Sequence, residues 1–208
     1  MIVKRFLSQK NFACNAYVCS INQTNFIIDL GHFDQSLKNY IDQIGGIDFI
    51  LLTHAHFDHM MGVDELLKVY PSVKVYGIYE TNELAHDDKL NGSKLFLGNS
   101  IIPNFKVECL KIGINKIENI SFELIYNPGH TCDSVSYYFK EHNALFVGDF
   151  LFLASIGRCD LPTGNNLIMQ DSIHSFLKRK FENNLKIYSG HDKEFSYQNL
   201  LRINPYLA

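Results

Sequence analysis

The sequence lacks the features that mark several large classes of protein. Its 208 residues carry a net charge of -3 and no cluster of Lys and Arg stands out, so there is no electrostatic footprint for nucleic acid. No stretch of about 18 uninterrupted apolar residues is present, and the apolar start ends at Lys4 and Arg5, too early for a signal peptide. We therefore expect a soluble, cytoplasmic protein with neither a nucleic-acid partner nor a membrane partner.

Cysteine is scarce, and its spacing is uninformative. The five cysteines are odd in number and form no Cys-x-x-Cys pair, which argues against a disulfide framework and against a structural zinc knuckle. We expect them to be small buried side chains or reduced thiols. With 46% hydrophobic residues the chain is long enough for one sizeable core, and we predict a single domain over residues 1–208.

Apolar residues recur at both strand spacing and helix spacing. Runs of strand length predict strands at residues 3–7, 12–21, 25–30, 47–52, 73–78, 105–111, 120–126, 135–139, 144–147 and 185–188. Helical spacing predicts helices at residues 34–44, 63–70, 80–87, 165–181 and 197–201. The stretch 88–104 is rich in turn residues and is either a lid or a connecting loop. Periodicity alone therefore predicts one domain that contains both helices and strands.

Four metal-competent side chains fall at the end of the predicted buried strand 47–52. They are His54, His56, Asp58 and His59. Imidazole and carboxylate groups are good ligands for zinc, whereas burying so many polar groups without a partner would cost about several kcal/mol. We therefore interpret this segment as a metal-binding loop rather than as a polar strand end with scattered histidines.

Three more candidate ligands follow predicted strands further along the chain. They are His130 in Pro-Gly-His-Thr, Asp149 in Val-Gly-Asp, and His191 in Ser-Gly-His. Loops at the ends of strands converge on the edge of a rigid sheet and commonly build a site there. We expect these three side chains to meet the loop that carries the first four.

In this order the motifs resemble the signature of the metallo-β-lactamase fold hydrolases. The resemblance implies an α+β fold, a four-layer αββα sandwich. It also implies the ligand sets, with one metal on His54, His56 and His130, a second on Asp58, His59 and His191, and Asp149 bridging the two. An Asp near position 29 supports the metal loop in that family, although a solvated turn explains Asp29 equally well from sequence alone.

A complete set of seven ligands implies two zinc ions per chain, and iron or manganese stays open for either position. In the family such a pair shares a hydroxide whose parent water has a pKa of about 7, and this hydroxide attacks a carbonyl or phosphoryl centre. Asp58 and Asp149 would then be the catalytic carboxylates. No side-chain nucleophile is needed, so we do not expect Cys132 to act as one.

The segment after Asp149 indicates which branch of this family the sequence resembles. Gly-Arg-Cys-Asp-Leu-Pro at residues 157–162 resembles the small glyoxalase II-like hydrolases, which are hydroxyacylglutathione hydrolases. This implies hydrolysis of a small-molecule thioester of the S-lactoylglutathione type, because a thiolate leaves without a strong general acid. Full-length glyoxalase II continues into a C-terminal helical domain that is not expected here, and a homodimer stays open.

Arg158 is the candidate substrate-binding residue. It matches a basic residue that helps to hold glutathione in that family, but the aromatic residue two positions later is replaced by Asp160. Two interpretations of Arg158 stay open. It binds a substrate carboxylate, or it pairs with Asp160 or another acidic side chain.

Two other activities also stay open. The iron-dependent persulfide dioxygenases share Gly-Arg-x-Asp and use one iron on the equivalents of His54, His130 and Asp149, a facial triad with open positions for oxygen. Lactone and other ester hydrolases of the same fold are the second alternative. The acidic balance of the chain argues against the nuclease branch.

Overall fold

The computed structural model describes residues 1–7, 12 and 14–207, and its first half builds a six-stranded sheet. The strands follow chain order across the sheet: β1 (Ile2–Leu7), β2 (Asn15–Ile21), β3 (Thr24–Ile28), β4 (Phe49–Leu51), β5 (Lys74–Gly77) and β6 (Val107–Cys109). β1 to β3 pair antiparallel, and β3 to β6 pair parallel through helical crossovers. Asn22 and Gln23 both have positive φ, as a tight hairpin turn between β2 and β3 requires.

The second half of the chain builds another six-stranded sheet. Its strands are β7 (Gly113–Ile117), β8 (Ile120–Tyr126), β9 (Val135–Phe139), β10 (Ala144–Gly148), β11 (Lys186–Ser189) and β12 (Phe195–Ser196). The order across the sheet is β12-β11-β10-β9-β8-β7, and only β10 and β11 pair parallel. As a consequence β8, β10 and β11 all run in one direction and end at the same edge.

Helices connect these strands and cover the sheets. They are α1 (Gln35–Gln43), α2 (Phe57–Met60), α3 (Val63–Val69), α4 (Tyr79–Ala85), α5 (Ser93–Leu97), α6 (Asn166–Leu177) and α7 (Tyr197–Ile203). The predicted cap Asn165 accepts hydrogen bonds from the backbone of Leu167 and Ile168 and so begins α6. Within the described residues, no helix has both the length and the apolar composition needed to cross a membrane.

Three apolar cores separate four layers. Alternate residues of a strand point to opposite faces, so in β3 and β4 Ile27 and Ile50 join the core under the helices of the first sheet. Phe26 and Phe49 point the other way and stack between the two sheets, with ring centroids 5.0 Å apart. A third core lies between the second sheet and α6 and α7. The predicted αββα sandwich is therefore confirmed.

Several predicted elements need correction. The strand predicted from residue 12 begins at Asn15, because Phe12 has a left-handed backbone with φ of 69°, and residue 13 lies outside the described residues. β7 was not predicted, since it is an edge strand whose Ile114 faces solvent and gives no core signal. The 88–104 stretch contains α5. The five cysteines are free thiols, and Cys14 and Cys19 are buried, as expected.

Candidate metal centre

Seven predicted ligand side chains converge at one edge of the two sheets. His54 and His56 follow β4, and α2 then presents Asp58 and His59. The other three come from the loops after β8, β10 and β11, which end at that same edge: His130, Asp149 and His191. Within this set, the structure groups ligand atoms that lie within 4.8 Å of one another. The structure thus brings together the whole predicted set. Its members form two clusters that also meet, since ligand atoms of His54, His59 and Asp149 lie within 4.8 Å of one another.

The imidazole cluster consists of His54, His56 and His130, all of them buried. His56 Nδ1 lies 3.1 Å from His54 Nε2 and 2.9 Å from His130 Nε2. Nitrogens bound at 2.0–2.1 Å to one tetrahedral zinc would be about 3.4 Å apart. His56 Nδ1 therefore lies from both other nitrogens at nearly the spacing of ligands to one ion, and ligand atoms of all three residues lie within 4.8 Å of one another.

The outer hydrogen bonds of the imidazole cluster fix which nitrogens carry protons. The Thr53 hydroxyl donates to Asp29 Oδ2, so it accepts from His54 Nδ1 at 3.1 Å. His130 Nδ1 donates to the carbonyl oxygen of Arg158 at 2.8 Å. In their neutral forms, His54 and His130 therefore aim lone pairs on Nε2 at the same point. His56 Nδ1 can donate to only one of them, whereas a cation would satisfy both.

The pKa values in the imidazole cluster favour this neutral form. Burial, followed by the neighbouring imidazoles, holds the pKa of His54 well below its usual value and lowers the pKa of His56 to about 3. Burial also lowers the pKa of His130. Metal ligation requires unprotonated imidazole, so these three side chains are in the ligating state at neutral pH.

The carboxylate cluster consists of Asp58, His59, Asp149 and His191. His191 Nε2 lies 3.2 Å from Asp149 Oδ2 and 3.4 Å from Asp58 Oδ2. His59 Nε2 lies 3.4 Å from Asp149 Oδ1 and 3.8 Å from Asp58 Oδ2. Asp149 Oδ2 is also 3.6 Å from His130 Nε2, so this carboxylate lies between the two clusters.

Two buried atoms of the carboxylate cluster face each other without a hydrogen bond. His59 Nδ1 donates to Asp29 Oδ2 at 2.8 Å, which leaves a lone pair on His59 Nε2 in the neutral ring. This lone pair faces Asp149 Oδ1, and neither atom has a hydrogen-bond partner among the described residues. Two facing acceptors are costly when buried, and a cation between them would satisfy both. The donor set thus fits a second metal ion.

Electrostatics distinguish the carboxylate cluster from its neighbour. Burial alone would lower the pKa of His191, but Asp149 and Asp58 outweigh it and raise that pKa to about 10. Burial is likewise outweighed at His59, whose pKa is held well above its usual value by Cys14, followed by Asp149, Asp29 and Asp58. The same imidazoles hold the pKa of Asp149 well below its ordinary range despite burial. The cluster therefore attracts positive charge, whether protons or metal ions.

Asp29 connects the two clusters from behind. Its carboxylate accepts from the Thr53 backbone N–H at 2.8 Å, from the Thr53 hydroxyl at 2.7 Å and from His59 Nδ1 at 2.8 Å. It therefore fixes the proton positions of His59 directly and of His54 through Thr53. Such outer partners orient metal-binding histidines. The supporting role suggested for Asp29 matches this geometry, and Asp29 is not a solvated turn residue.

Asn15 holds the loop of His191, a role that sequence reasoning missed. Its buried Nδ2 donates to the carbonyl oxygens of Ser189 at 3.0 Å and Asp192 at 2.7 Å. These two carbonyls flank His191. No sequence motif identifies Asn15 as a site residue. The only feature that could have indicated it is a polar residue at the start of an otherwise apolar strand.

Two glycines allow the ligand loops to approach closely. Gly148 has φ of +52°, and a Cβ there would lie 2.4 Å from Thr53 Oγ1. A Cβ on Gly190 would lie 2.1 Å from Asp149 Oδ1. The glycines before Asp149 and His191 are therefore required by packing at the centre itself.

A cleft of about 480 Å³ opens onto the centre. Five candidate ligands line it, together with six apolar side chains and Arg158. The Arg158 guanidinium is already paired, with Nε 2.7 Å from Asp160 Oδ1 and Nη2 2.8 Å from Asp160 Oδ2. Of the two interpretations left open, pairing is what the structure shows, although Arg158 also borders the cleft. Cys132 is not among the described residues that line it.

Comparison with known proteins gives a consistent result. The model of the Metallo-beta-lactamase superfamily matches residues 10–191. The "Probable metallo-hydrolase YqgX" of Bacillus subtilis is 34% identical over 195 residues, which cover 93% of this chain and 92% of that protein. A hydroxyacylglutathione hydrolase of Legionella pneumophila is 36% identical over 73% of this chain, but the match spans only 50% of that enzyme.

Two solved structures are similar along nearly the whole chain. The BLEG-1 B3 metallo-beta-lactamase superposes with a TM-score of 0.89 at 30% identity and covers 100% of both chains. TTHA1623, solved in a di-iron-bound form, superposes with a TM-score of 0.84 at 28% identity and covers 97% of this chain and 100% of its own.

Proposed function

The chain belongs to the metallo-beta-lactamase superfamily, and from this premise we propose that it hydrolyses thioesters with two bound metal ions. The observation that carries the proposal is the pair of clusters joined by Asp149, in which lone pairs converge on two separate points. A site for one ion would not need Asp58, His59 and His191. The hydroxyacylglutathione hydrolase relatives support a thioester as substrate.

The ligand sets of the proposal follow the two clusters. His54, His56 and His130 would hold one ion, Asp58, His59 and His191 the second, and Asp149 would contact both. Imidazoles and carboxylates suit zinc, and also iron or manganese. When bound, the two ions would polarise a carbonyl group and supply a water with a pKa of about 7.

The other groups in the cleft favour a substrate with a good leaving group. In the overall reaction a water adds to the thioester carbonyl carbon and the C–S bond breaks, which yields a carboxylic acid and a thiol. Apart from the proposed ligands, Arg158 is the only titratable side chain among the described residues of the cleft, and it is paired. An alcohol or amine would need a proton from a general acid in order to leave. A thiolate, with a parent pKa of about 8.5, does not.

Asp58 has a position suited to the attacking water. It lies in the cleft wall and also belongs to the carboxylate cluster, where its carboxylate is 3.4 Å from His191 Nε2. Burial raises its pKa, but His59 and His191 outweigh burial and hold the pKa below its usual value, so Asp58 is ionised at neutral pH. We assign to Asp58 the orientation of that water, and to Asp149 the alignment of the two clusters.

The proposal is tested by hydrolysis of a thioester panel with zinc-loaded and metal-free protein. We expect hydrolysis that depends on zinc, and recovers when zinc is restored to the metal-free protein. If the loaded protein, shown to be folded and to contain two zinc ions, hydrolyses no thioester, the proposal is wrong.

A second candidate function is the mononuclear iron persulfide dioxygenase. In support, His130 Nε2 lies 3.6 Å from Asp149 Oδ2, and ligand atoms of His54 lie within 4.8 Å of those of both His130 and Asp149. His59→Ala separates the two functions because a one-iron enzyme on these three residues does not use His59. Persulfide-dependent oxygen uptake that survives His59→Ala, in a protein without thioesterase activity, would favour the dioxygenase.

A further inference from the structure

One wall of the cleft is built from three phenylalanines that pack against one another. The ring centroids of Phe12 and Phe57 are 5.1 Å apart, those of Phe12 and Phe96 are 5.8 Å apart, and those of Phe57 and Phe96 are 6.1 Å apart. Phe57 lies between the proposed ligands His56 and Asp58 in the chain and is buried. The aromatic wall therefore begins at the metal centre itself.

The other apolar side chains of the cleft lining are Phe152, Ile156 and Leu161. Phe12 and Phe96 are each more than a third exposed, and apolar surface left in water is stabilised when a ligand covers it. The space next to the reacting carbon therefore favours an apolar group over a hydroxylated one.

Arg158, the single Arg or Lys side chain of the described cleft lining, is neutralised by a neighbour. Arg158 is about half exposed at the rim and forms a two-point ion pair with Asp160. A substrate carboxylate at this position would have to displace Asp160 or lie beside its negative charge. The described part of the lining thus offers no unpaired Arg or Lys side chain of the kind that an anionic thiol such as glutathione would use.

The lining residues suggest how the two ends of a thioester are placed. The thiol side lies near the exposed Arg158, the charged side chain of the lining outside the proposed ligands. The acyl group lies against the aromatic wall, where it covers the exposed face of Phe96 beside the buried Phe57. This assignment rests on the thioesterase function proposed above.

From these contacts we propose that the site selects thioesters with an apolar acyl chain, and that Asp160 makes it discriminate against a carboxylate on the thiol side. Phe96 is the residue that determines specificity for the acyl chain, and Asp160 is the residue that determines specificity for the thiol.

The experiment measures kcat/KM for a matched substrate series on zinc-loaded protein. The acyl group changes from acetyl to lactoyl to hexanoyl on the uncharged thiol N-acetylcysteamine, and the hexanoyl thioester is also made with glutathione. Because each buried methylene contributes roughly 0.8 kcal/mol, or about fourfold, we expect hexanoyl to exceed both acetyl and lactoyl by at least about tenfold.

Two variants test the assigned residues, each by a ratio of substrates on the same protein. Phe96→Ala should lower the hexanoyl-to-acetyl ratio by at least about threefold. Leu95→Ala is the matched control, because Leu95 is its exposed neighbour in α5 and is not among the described residues of the cleft. Asp160→Asn should raise kcat/KM for the glutathione thioester relative to the uncharged one by about twofold to fivefold, the size of an exposed ion pair.

The outcomes separate this inference from the function on which it rests. Hydrolysis that is fastest for lactoyl, or a hexanoyl-to-acetyl ratio unchanged by Phe96→Ala, overturns the apolar acyl site while the thioesterase function stands. The role of Asp160 is overturned if the wild type prefers the glutathione thioester to the N-acetylcysteamine thioester. It is also overturned if Asp160→Asn leaves the ratio of their kcat/KM values unchanged. No hydrolysis of any member, with two zinc ions bound, overturns both the function and the inference.

Discussion

The two halves of the candidate metal centre share an edge of the sandwich but differ in chemistry. The imidazole cluster is three buried rings whose pKa values are lowered. The carboxylate cluster places two carboxylates beside His59 and His191, whose pKa values are raised. Burial acts on both, so the difference arises from the acidic groups beside His59 and His191, which are the carboxylates and, at His59, the Cys14 thiol. The imidazole cluster is ready for a cation at neutral pH, whereas in the carboxylate cluster a cation must displace protons.

Removing Asp149 should have the largest effect, because it abolishes the connection between the clusters. Asp149→Ala removes the carboxylate that lies 3.2 Å from His191 Nε2 and 3.6 Å from His130 Nε2. We expect metal content to fall below one ion per chain and thioester hydrolysis to fall by at least about a thousandfold, or roughly 4 kcal/mol. Elemental analysis and steady-state kinetics on one preparation measure both. Retention of two ions by the variant would show that Asp149 does not contribute to binding either metal ion.

A matched pair of histidine variants separates the clusters. His56→Ala should empty the imidazole cluster and His191→Ala the carboxylate cluster, so each should keep about one ion and lose about a hundredfold in rate. His174→Ala is the control, since His174 is exposed on α6 and outside both clusters. The division into two sites fails if either variant retains both ions, or if one variant loses both.

Asp29→Asn tests whether both clusters depend on the same support. An amide cannot accept all three hydrogen bonds that Asp29 receives, so His59 and, through Thr53, His54 lose their fixed proton positions. We expect metal affinity to fall by about 10-fold to 100-fold, with the fold kept. Competition with a chelator gives the affinities, and circular dichroism reports the fold. An unchanged metal affinity would show that Asp29 does not support the metal ligands.

The two clusters should respond differently to pH. Without metal, the carboxylate cluster holds protons at neutral pH, with the pKa of His191 raised to about 10, so metal binding there releases protons and strengthens as pH rises. In the imidazole cluster, where the pKa of His56 is about 3, no protons compete at neutral pH. Dialysis against a competing chelator should therefore remove the ion of the carboxylate cluster more readily at about pH 6 than at about pH 8, and the ion of the imidazole cluster to the same extent at both. Loss of both ions together would contradict the distinction.

Asp133 is a buried carboxylate outside both clusters, and it should have the smallest effect, a pH dependence of the folding stability. Asp133 accepts from the Thr131 hydroxyl at 2.6 Å, and burial raises its pKa to about 6. Because folding favours its protonated form, the stability it contributes is present below its ordinary pKa and is lost as pH rises through about 6.

Asp133→Asn should remove this pH dependence, worth at most about 3 kcal/mol. Urea unfolding of metal-free wild type and variant at several values between about pH 4 and pH 7 measures it. Parallel pH profiles for the two proteins would show that Asp133 does not titrate in the fold.

The positions of the candidate ligands are predictable from sequence because each follows a strand-like run. Apolar periodicity locates strand ends, and residue chemistry then singles out His130, Asp149 and His191. The layering is predictable only through the resemblance, since periodicity does not say which face of β3 meets the other sheet.

Other parts of the site depend on contacts that no local pattern carries. Asn15 meets Ser189 across 174 positions of the chain. Phe12, Phe57 and Phe96 come from three separate segments and meet only in the fold. Arg158 is a further example. Its positive charge suggests a substrate-binding residue, but in the fold it forms an ion pair with Asp160.

Titration of zinc into the metal-free protein, followed by thioester hydrolysis at each step, tests the two-cluster hydrolase most directly. We predict binding of two zinc ions per chain, with hydrolysis reaching its full value only as the second ion binds. Saturation at one ion per chain, or full hydrolysis with the first ion alone, would contradict the account.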